Sequence, residues 1–376
     1  MHFELRDIMQ AYVQSKDKLL RTLYARPPKE AQHIFAPNSI LKIVRPLYGA
    51  AESGLYWFKT YHNHHKERLQ MKVSTYDTCL LISHEGENPF GITGLQTDDT
   101  LSIVTKDFSA REEEELKRAN FRAKPKTILT DDNPIEFNGA RIKSQRNKVH
   151  LVQKGQAKHL RTIDPKAKDA AQQYTEQRAR GAYIASVCQP EAAFDLSIAA
   201  QTTEPTYEDI KALNVRIQWQ INNQDRGLTY IPLRLDRAKL FIFTDGSFAN
   251  NKDLSSQLGF VIILAEELHT ETRNDFQIKG NIVHWNSIKC KRVTRSVLAS
   301  ELYGMVGGFD IAIALSTTIR QIVQNINIPP IPMVICTDSR SLYDCLVKLG
   351  TTNKKRLMID IMSLRESYEN REIQEI

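Results

Sequence analysis

Six acidic side chains stand where this sequence could do chemistry. Asp98 and Asp99 are adjacent, inside Gly94-Leu95-Gln96-Thr97-Asp98-Asp99-Thr100-Leu101-Ser102-Ile103-Val104, between two short runs of strand character. Asp7 closes an extended run that begins at Phe3. Asp245 follows Leu240-Phe241-Ile242-Phe243-Thr244, Glu301 lies on a helical stretch from Ser296 to Leu302, and Asp338 follows Met333-Val334-Ile335-Cys336-Thr337. Each residue also has a plain structural reading. An Asp pair in a turn bonds its own backbone, an Asp after a strand caps a helix, and a Glu on a helix faces water. The repeated strand-end setting argues for more. Two like charges ~4 Å apart repel by about 4 kcal/mol at an effective dielectric near 20, so a fold seldom gathers three carboxylates unless divalent cations offset the repulsion. Two Mg²⁺ ions held by carboxylates and substrate phosphates are the usual arrangement for in-line phosphoryl displacement.

The elements that must position these groups are readable in outline. Residues 3–13 read as a strand ending at Asp7 and turning into a short helix, and the Asp98-Asp99 stretch reads as a β-hairpin. An amphipathic helix is expected from about Leu55 to Leu69, with Leu55, Phe58, His62 and His65 at helical spacing and Trp57 and Tyr61 beside them. The cluster His62, His64 and His65 reads as a solvated helix surface rather than a metal site, because no acidic or Cys ligand stands at usable spacing. Arg111 to Arg118 reads as a charged, exposed helix face. Beyond it the basic residues Arg122, Lys124, Lys126, Arg141, Lys143, Arg146 and Lys148 suit either strands with a phosphate-facing edge or a merely soluble surface. Residues 153–227 are mainly helical, with Pro205 preceding a helix from Tyr207 to Asn223. Three strands then follow as an antiparallel meander, a helix carries Glu301, a further strand ends at Asp338, and a helix from Ser339 to Leu349 ends at Gly350.

Composition sets outer limits. At 376 residues the chain exceeds one ordinary core, so two or three domains are expected. Hydrophobic content of 41% and charged content of 25% are those of a soluble globular protein. No apolar run approaches a membrane span in length, and the N-terminus lacks a signal-peptide apolar region. Cys79, Cys188, Cys290, Cys336 and Cys345 are odd in number and form no Cys-x-x-Cys pair, which argues for a reducing compartment and against a zinc knuckle or a disulfide framework. A net charge of +7 permits a nucleic-acid partner without establishing one.

The motifs, taken in order, resemble those of a known family. Arg6-Asp7-Ile8-Met9-Gln10-Ala11-Tyr12 resembles the first palm motif of the reverse transcriptase in copia-type (pseudovirus) retrotransposon pol polyproteins, and of fungal members especially. Leu47-Tyr48-Gly49-Ala50-Ala51-Glu52-Ser53-Gly54 with Trp57 resembles the family's Leu-Tyr-Gly-Leu-Lys-Gln segment, and Tyr76-Asp77-Thr78-Cys79-Leu80 its Asp-Pro-Cys-Leu stretch. Gln96-Thr97-Asp98-Asp99 stands where the family usually has Tyr-Val-Asp-Asp. Thr244-Asp245-Gly246-Ser247, Ala299-Ser300-Glu301-Leu302-Tyr303 and Thr337-Asp338-Ser339 resemble ribonuclease H motifs.

The resemblance implies an α+β chain: a partial reverse-transcriptase palm (1–150), a helical thumb or connection (151–235), and an α/β ribonuclease H-like domain with a mixed five-stranded-type sheet (236–376). It implies two Mg²⁺ per active site, or Mn²⁺, held by Asp7, Asp98 and Asp99 for nucleotidyl transfer and by Asp245, Glu301 and Asp338 for cutting RNA in an RNA–DNA hybrid. Tyr48, Gly49 and Gln96 would line the template and nucleotide site, and Lys124, Lys126, Lys289, Lys291, Arg292 and Arg295 would contact nucleic acid. The implied partners are an RNA template, a DNA primer, the hybrid and deoxynucleoside triphosphates, with no membrane and with a dimeric or polyprotein context compatible. The implied setting is cytoplasmic and not secreted, a virus-like particle and nuclear access being compatible with it. Gln96 and Glu52 depart from the family pattern, and the fingers and the last Asp-bearing ribonuclease H motif fall outside the sequence, so a fragment trimmed at both ends is expected. The rival reading is a decayed, catalytically inactive retroelement product that at most binds nucleic acid.

Overall fold

Burial in the first strand runs against hydrophobicity, and this sets the character of the N-terminal sheet. Within β1 (His2–Asp7) the inward side chains are Glu4 and Arg6, while Leu5 is only half-buried. The computed structural model describes residues 1–376 except for Glu85, Glu87, Asn88, 269–275 and 351–353. These residues form two compact units, 1–129 with 324–326 and 130–323 with 327–376. After β1 the first unit contains β2 (Leu23–Ala25), β3 (Leu41–Ile43), α1 (Ser53–Glu67), β4 (Met71–Val73), β5 (Leu80–Ser83), β6 (Gly91–Gln96), β7 (Asp99–Val104), α2 (Lys106–Arg118) and β8 (Thr127–Ile128). Its main sheet has the order β4-β5-β6-β7-β1-β8 and is antiparallel throughout.

The polar inward face of β1 is matched by α2. Arg6 donates to Glu112 at 2.8 Å and to Glu113 at 2.6 Å. Lys126 pairs with the same Glu112 at 2.7 Å and with Glu4 at 3.1 Å, and Ser109 donates to Glu4 at 2.7 Å. The charged helix is therefore not a wholly exposed face: Glu112 is buried because it neutralises Arg6 and Lys126.

Helix α1 also differs from its expected pattern. Its buried stripe is Ser53, Trp57, Thr60, Tyr61, His64 and His65, whereas Leu55 is exposed. The expected solvated histidine surface is corrected at His64 and His65, which are 5% and 1% exposed. They pack with Tyr61 and Phe121, the His64–Phe121 and Tyr61–His65 ring centres lying 5.1 and 4.6 Å apart. Burial pushes both imidazoles below their ordinary pKa, His64 to about 4, so they sit in the core as neutral rings.

The second unit contains β9 (Ile135–Phe137), β10 (Ala140–Gln145), β11 (Lys148–Gln153), α3 (Ala170–Val187), α4 (Ala193–Ala199), α5 (Tyr207–Asn222) and β12 (Leu228–Tyr230). There follow β13 (Ala238–Ser247), β14 (Gln257–Leu268), β15 (Gln277–Lys289), α6 (Val297–Asn325), β16 (Met333–Cys336), α7 (Arg340–Val347) and α8 (Met358–Glu369). One sheet has the order β12-β11-β10-β9. Helices α3, α4 and α5 pack around Ile184, Leu196, Leu213 and Ile217, and α5 starts at a capping box of Thr206 and Asp209. The larger sheet, β15-β14-β13-β16, is mixed: β13 to β15 form the expected antiparallel meander and β16 runs parallel to β13. A fifth position is begun by the tail, where Glu375 bridges Val334 in parallel.

Helix α6 covers this sheet through Leu302, Met305, Phe309 and Ala312. It is 29 residues long and apolar enough to cross a membrane by length and composition, which corrects the expectation that no stretch approaches that limit. Its apolarity has a use here, since its residues join the core under the sheet.

The buried ion network yields a stability prediction. Burial pushes the Glu112 carboxyl up, but bonding and attraction from Arg6 and Lys126 outweigh it and leave it below the ordinary value of 4.5. The contribution is thus fully present above pH ~4.5 and lost as pH falls through the lower folded value. Arg6→Met should destabilise the first unit by about 3 kcal/mol at pH 7 by leaving buried carboxylate charge under-compensated, with a smaller loss at acid pH. Urea unfolding followed by tryptophan fluorescence measures this, and an unchanged midpoint at pH 7 would refute it.

Candidate active sites

The carboxylates of the second unit are brought together by a parallel pairing and a close helix crossing. Strand β16 pairs with β13 in the register Phe243↔Cys336. Asp245 and Asp338 each lie two residues beyond that pair, so both emerge at the same edge. Glu301 comes from α6, which lies close to β13 because small residues line the contact. The Ser300 hydroxyl donates to the Gly246 carbonyl at 2.9 Å. A Cβ on Gly304 would stand 2.8 Å from the Asp245 carbonyl oxygen, and one on Gly308 would stand 2.9 Å from the Thr244 methyl. Gly246 itself faces the Ser300 backbone at 2.4 Å from a would-be Cβ.

The result is a site in which ligand oxygens of Asp245, Glu301 and Asp338 all lie within 4.8 Å of one another. Among the described residues this is the one such group of three His, Cys, Asp or Glu side chains. Asp245 and Asp338 are exposed, whereas Glu301 is 7% exposed and its buried Oε2 has no hydrogen-bond partner among the described residues. Burial first, and then repulsion from Asp245 and Asp338, push the Glu301 carboxyl up to about 7. A hard divalent cation with oxygen ligands would satisfy the orphaned oxygen and the crowded charges together, so the donor set fits such an ion.

The first unit presents its carboxylates differently. Cross-strand pairing sets Asp7 directly opposite Asp99, and the Ile8 amide donates to the Asp98 carbonyl at 2.9 Å. The turn between Gln96 and Asp99 is two residues long, with Thr97 at a φ of +55°, a conformation β-branched residues rarely adopt. Trp57 holds this turn, its indole N–H donating to the Thr97 carbonyl at 2.6 Å. Asp7, Asp98 and Asp99 are thus neighbours at the mouth of one sheet. They do not form a cluster as tight as the second one, and the Asp7 carboxylate accepts from the Lys124 ammonium at 2.6 Å.

The other expected site residues are placed unevenly. Tyr48 is exposed and stacks on Tyr12 with ring centres 4.5 Å apart. Gly49 has a φ of +93° and open space around it, so its glycine requirement is conformational. Gln96 is exposed at the hairpin, and Glu52 is paired with Arg21. Lys126 is corrected: it is 14% exposed and committed to Glu4, Glu112 and Ser109, which leaves it unsuited to a phosphate. Lys289 pairs with Asp253, and Arg292 pairs with Asp360 while lying over the Tyr303 ring. Lys291 and Arg295 are exposed and make no ion pair among the described residues. Trp57 and Ser300 stand in the quoted motifs without a positioning role read for them, and Gly304 and Gly308 lie outside those motifs. Gly304 and Gly308 are small residues at four-residue spacing, a pattern shared with ordinary core helices.

The fold is a mixed α/β one that resembles a retroviral reverse transcriptase. The fold matches the foamy viral protease-reverse transcriptase dRH in complex with double-stranded DNA, with a TM-score of 0.54 and 10% identity, over 100% of this chain and 56% of that one. In sequence, the chain is 23% identical over 391 aligned positions to the transposon Ty1-NL2 Gag-Pol polyprotein of Saccharomyces cerevisiae. It is 22% identical over 390 positions to the Ty1-GR2 Gag-Pol polyprotein of the same yeast. Both alignments take in 93% of this chain, which spans about a fifth of each polyprotein (20%). No protein-family model matches the chain. In sequence the chain is thus similar to part of the Ty1 (copia-type) Gag-Pol polyproteins.

The raised Glu301 carboxyl gives the second prediction. Between pH ~4.5 and ~7 the folded chain keeps a proton that the unfolded chain releases, so stability falls as pH rises through that window. Glu301→Gln should therefore raise the melting temperature at pH 8 in chelator, with little change at pH 4.5. Equal melting temperatures of variant and parent at pH 8 would contradict this.

Proposed function

We propose that the second unit cleaves the RNA strand of RNA–DNA hybrids with Asp245, Glu301 and Asp338 as its metal-holding residues. The observation that carries this reading is the buried, unpartnered Glu301 oxygen between two exposed aspartates. Mg²⁺, or Mn²⁺ in its place, would activate water and stabilise the departing oxygen of the phosphodiester. The chain's own residues supply the rest. Glu301 gives up its proton on taking a cation, so cation binding strengthens with rising pH. Asp245 and Asp338, already exposed, stay open to the phosphate. Lys291 and Arg295 are available to neutralise backbone phosphates of a hybrid recognised by shape and 2′-hydroxyls.

In this reading residues 1–150 are a reverse-transcriptase palm, 151–235 a thumb or connection, and 236–376 the ribonuclease H-like domain. Asp7, Asp98 and Asp99 are the nucleotidyl-transfer carboxylates, with Tyr48, Gly49 and Gln96 beside template and triphosphate. The inactive alternative is favoured for the first unit alone, because Lys124 already occupies the Asp7 carboxylate. Misplacing reactants by about 1 Å can cost on the order of a hundredfold.

The test is a labelled RNA–DNA hybrid incubated with the purified chain and Mg²⁺, beside a primed RNA template with deoxynucleoside triphosphates. Hybrid cleavage is expected without nucleotide incorporation. Asp245→Asn should lower cleavage by at least about a hundredfold, since even residues that only orient a metal ligand cost 10- to 100-fold. Cleavage that persists in Asp245→Asn, or its absence from the folded parent chain, would overturn the assignment.

A further inference from the structure

We infer that Lys124 is the built-in counter-ion of the palm carboxylates, so that the first unit takes up a divalent cation only when this ammonium is moved aside. The inference concerns the first unit and does not rest on hybrid cleavage by the second. It starts from the pairing of β1. On one side Asp7 is placed directly across from Asp99, and like charges so opposed destabilise a sheet. On its other side the chain returns antiparallel: the Met9 amide donates to the Arg122 carbonyl at 2.9 Å, and Ile8 bridges Ala123. The Lys124 amide then donates to the Asp7 carbonyl at 2.9 Å.

Backbone pairing therefore delivers Lys124 to Asp7 before any side-chain contact is considered. The ammonium completes the arrangement by donating to Asp7 Oδ2 at 2.6 Å. Asp98 and Asp99 also attract it, and the bond to Asp7 leads the causes that raise the lysine's pKa. Two neighbouring basic groups are unavailable for this duty. Arg6 is held by Glu112 and Glu113, and Lys126 by Glu4 and Glu112. Lys124, with a side chain 59% exposed, is the basic group of this segment that reaches Asp7.

The two carboxylate groups thus differ in how their repulsion is met. In the second, no cationic side chain among the described residues bonds to Glu301, and its Oε2 stays unpartnered among them. In the first, a lysine covers Asp7, and the three carboxylates are not gathered into a group with ligand atoms within 4.8 Å. A monovalent ammonium delivered to Asp7 by backbone pairing competes with a divalent ion for the same oxygen.

Mn²⁺ binding, measured by electron paramagnetic resonance of the free ion, tests this on the full chain. In an Asp245→Asn/Glu301→Gln background, which silences the second site, no ion should bind at up to millimolar Mn²⁺. Adding Lys124→Met should create one site at least tenfold tighter, while Lys124→Arg should leave binding absent. Circular dichroism and tryptophan fluorescence verify folding, and Lys124→Gln serves if the Met variant fails to fold. Mn²⁺ bound by the double variant with Lys124 intact would overturn the inference, as would a folded Lys124→Met or Lys124→Gln chain that still binds none.

Discussion

The closeness of one helix to one strand governs the second unit. Glu301 reaches Asp245 only because Gly304 and Gly308 on α6, and Gly246 on β13, leave no Cβ in the crossing. The bond from the Ser300 hydroxyl to the Gly246 carbonyl fixes the helix along its axis. Any larger side chain at Gly304 must push against backbone, which cannot yield as a flexible side chain can. The same approach buries Glu301 and pushes its carboxyl up. Packing and acid chemistry are therefore one constraint here, and neither can be altered alone.

The first unit reaches a comparable end by electrostatics. Its sheet turns Glu4 and Arg6 inward, and α2 supplies the opposite charges. Removing one partner of such a network is costly because the others remain buried. On the other side of the hairpin, Trp57 stacks on Tyr61 with ring centres 4.9 Å apart and ties the turn through Thr97. Tyr61 in turn accepts from Thr100 at 3.2 Å. The Asp98-Asp99 turn is held by an aromatic helix face as well as by its ladder.

Much of this was legible in the residues. Strand-end aspartates, the meander and the helix bearing Glu301 follow from local pattern, and local pattern decides local structure. The legible part ends where partners are far apart in sequence. Lys126 looked like a free cation because Glu4 and Glu112 cannot be seen near it along the chain. Lys124 and Asp7 are separated by 117 positions. Polarity alone puts His64 and His65 on the surface, yet a ring neutralised by desolvation packs like any aromatic. Leu55, apolar at helical spacing, turned out exposed. Which stripe of α1 faces the core was decided by the sheet it meets.

The pairing of β1 has a consequence for how this sequence can vary over generations. Arg6 and Asp7 are adjacent, and the alternation of a strand sends one to the buried network and the other to the carboxylate edge. A slip of one residue exchanges every side chain between the two faces. Gain or loss of a single codon between Phe3 and Asp7 would thus expose the buried ions and withdraw the aspartate in the same event. A point replacement on this strand disturbs one face at a time, but its length is protected twice, once by folding and once by the site it carries.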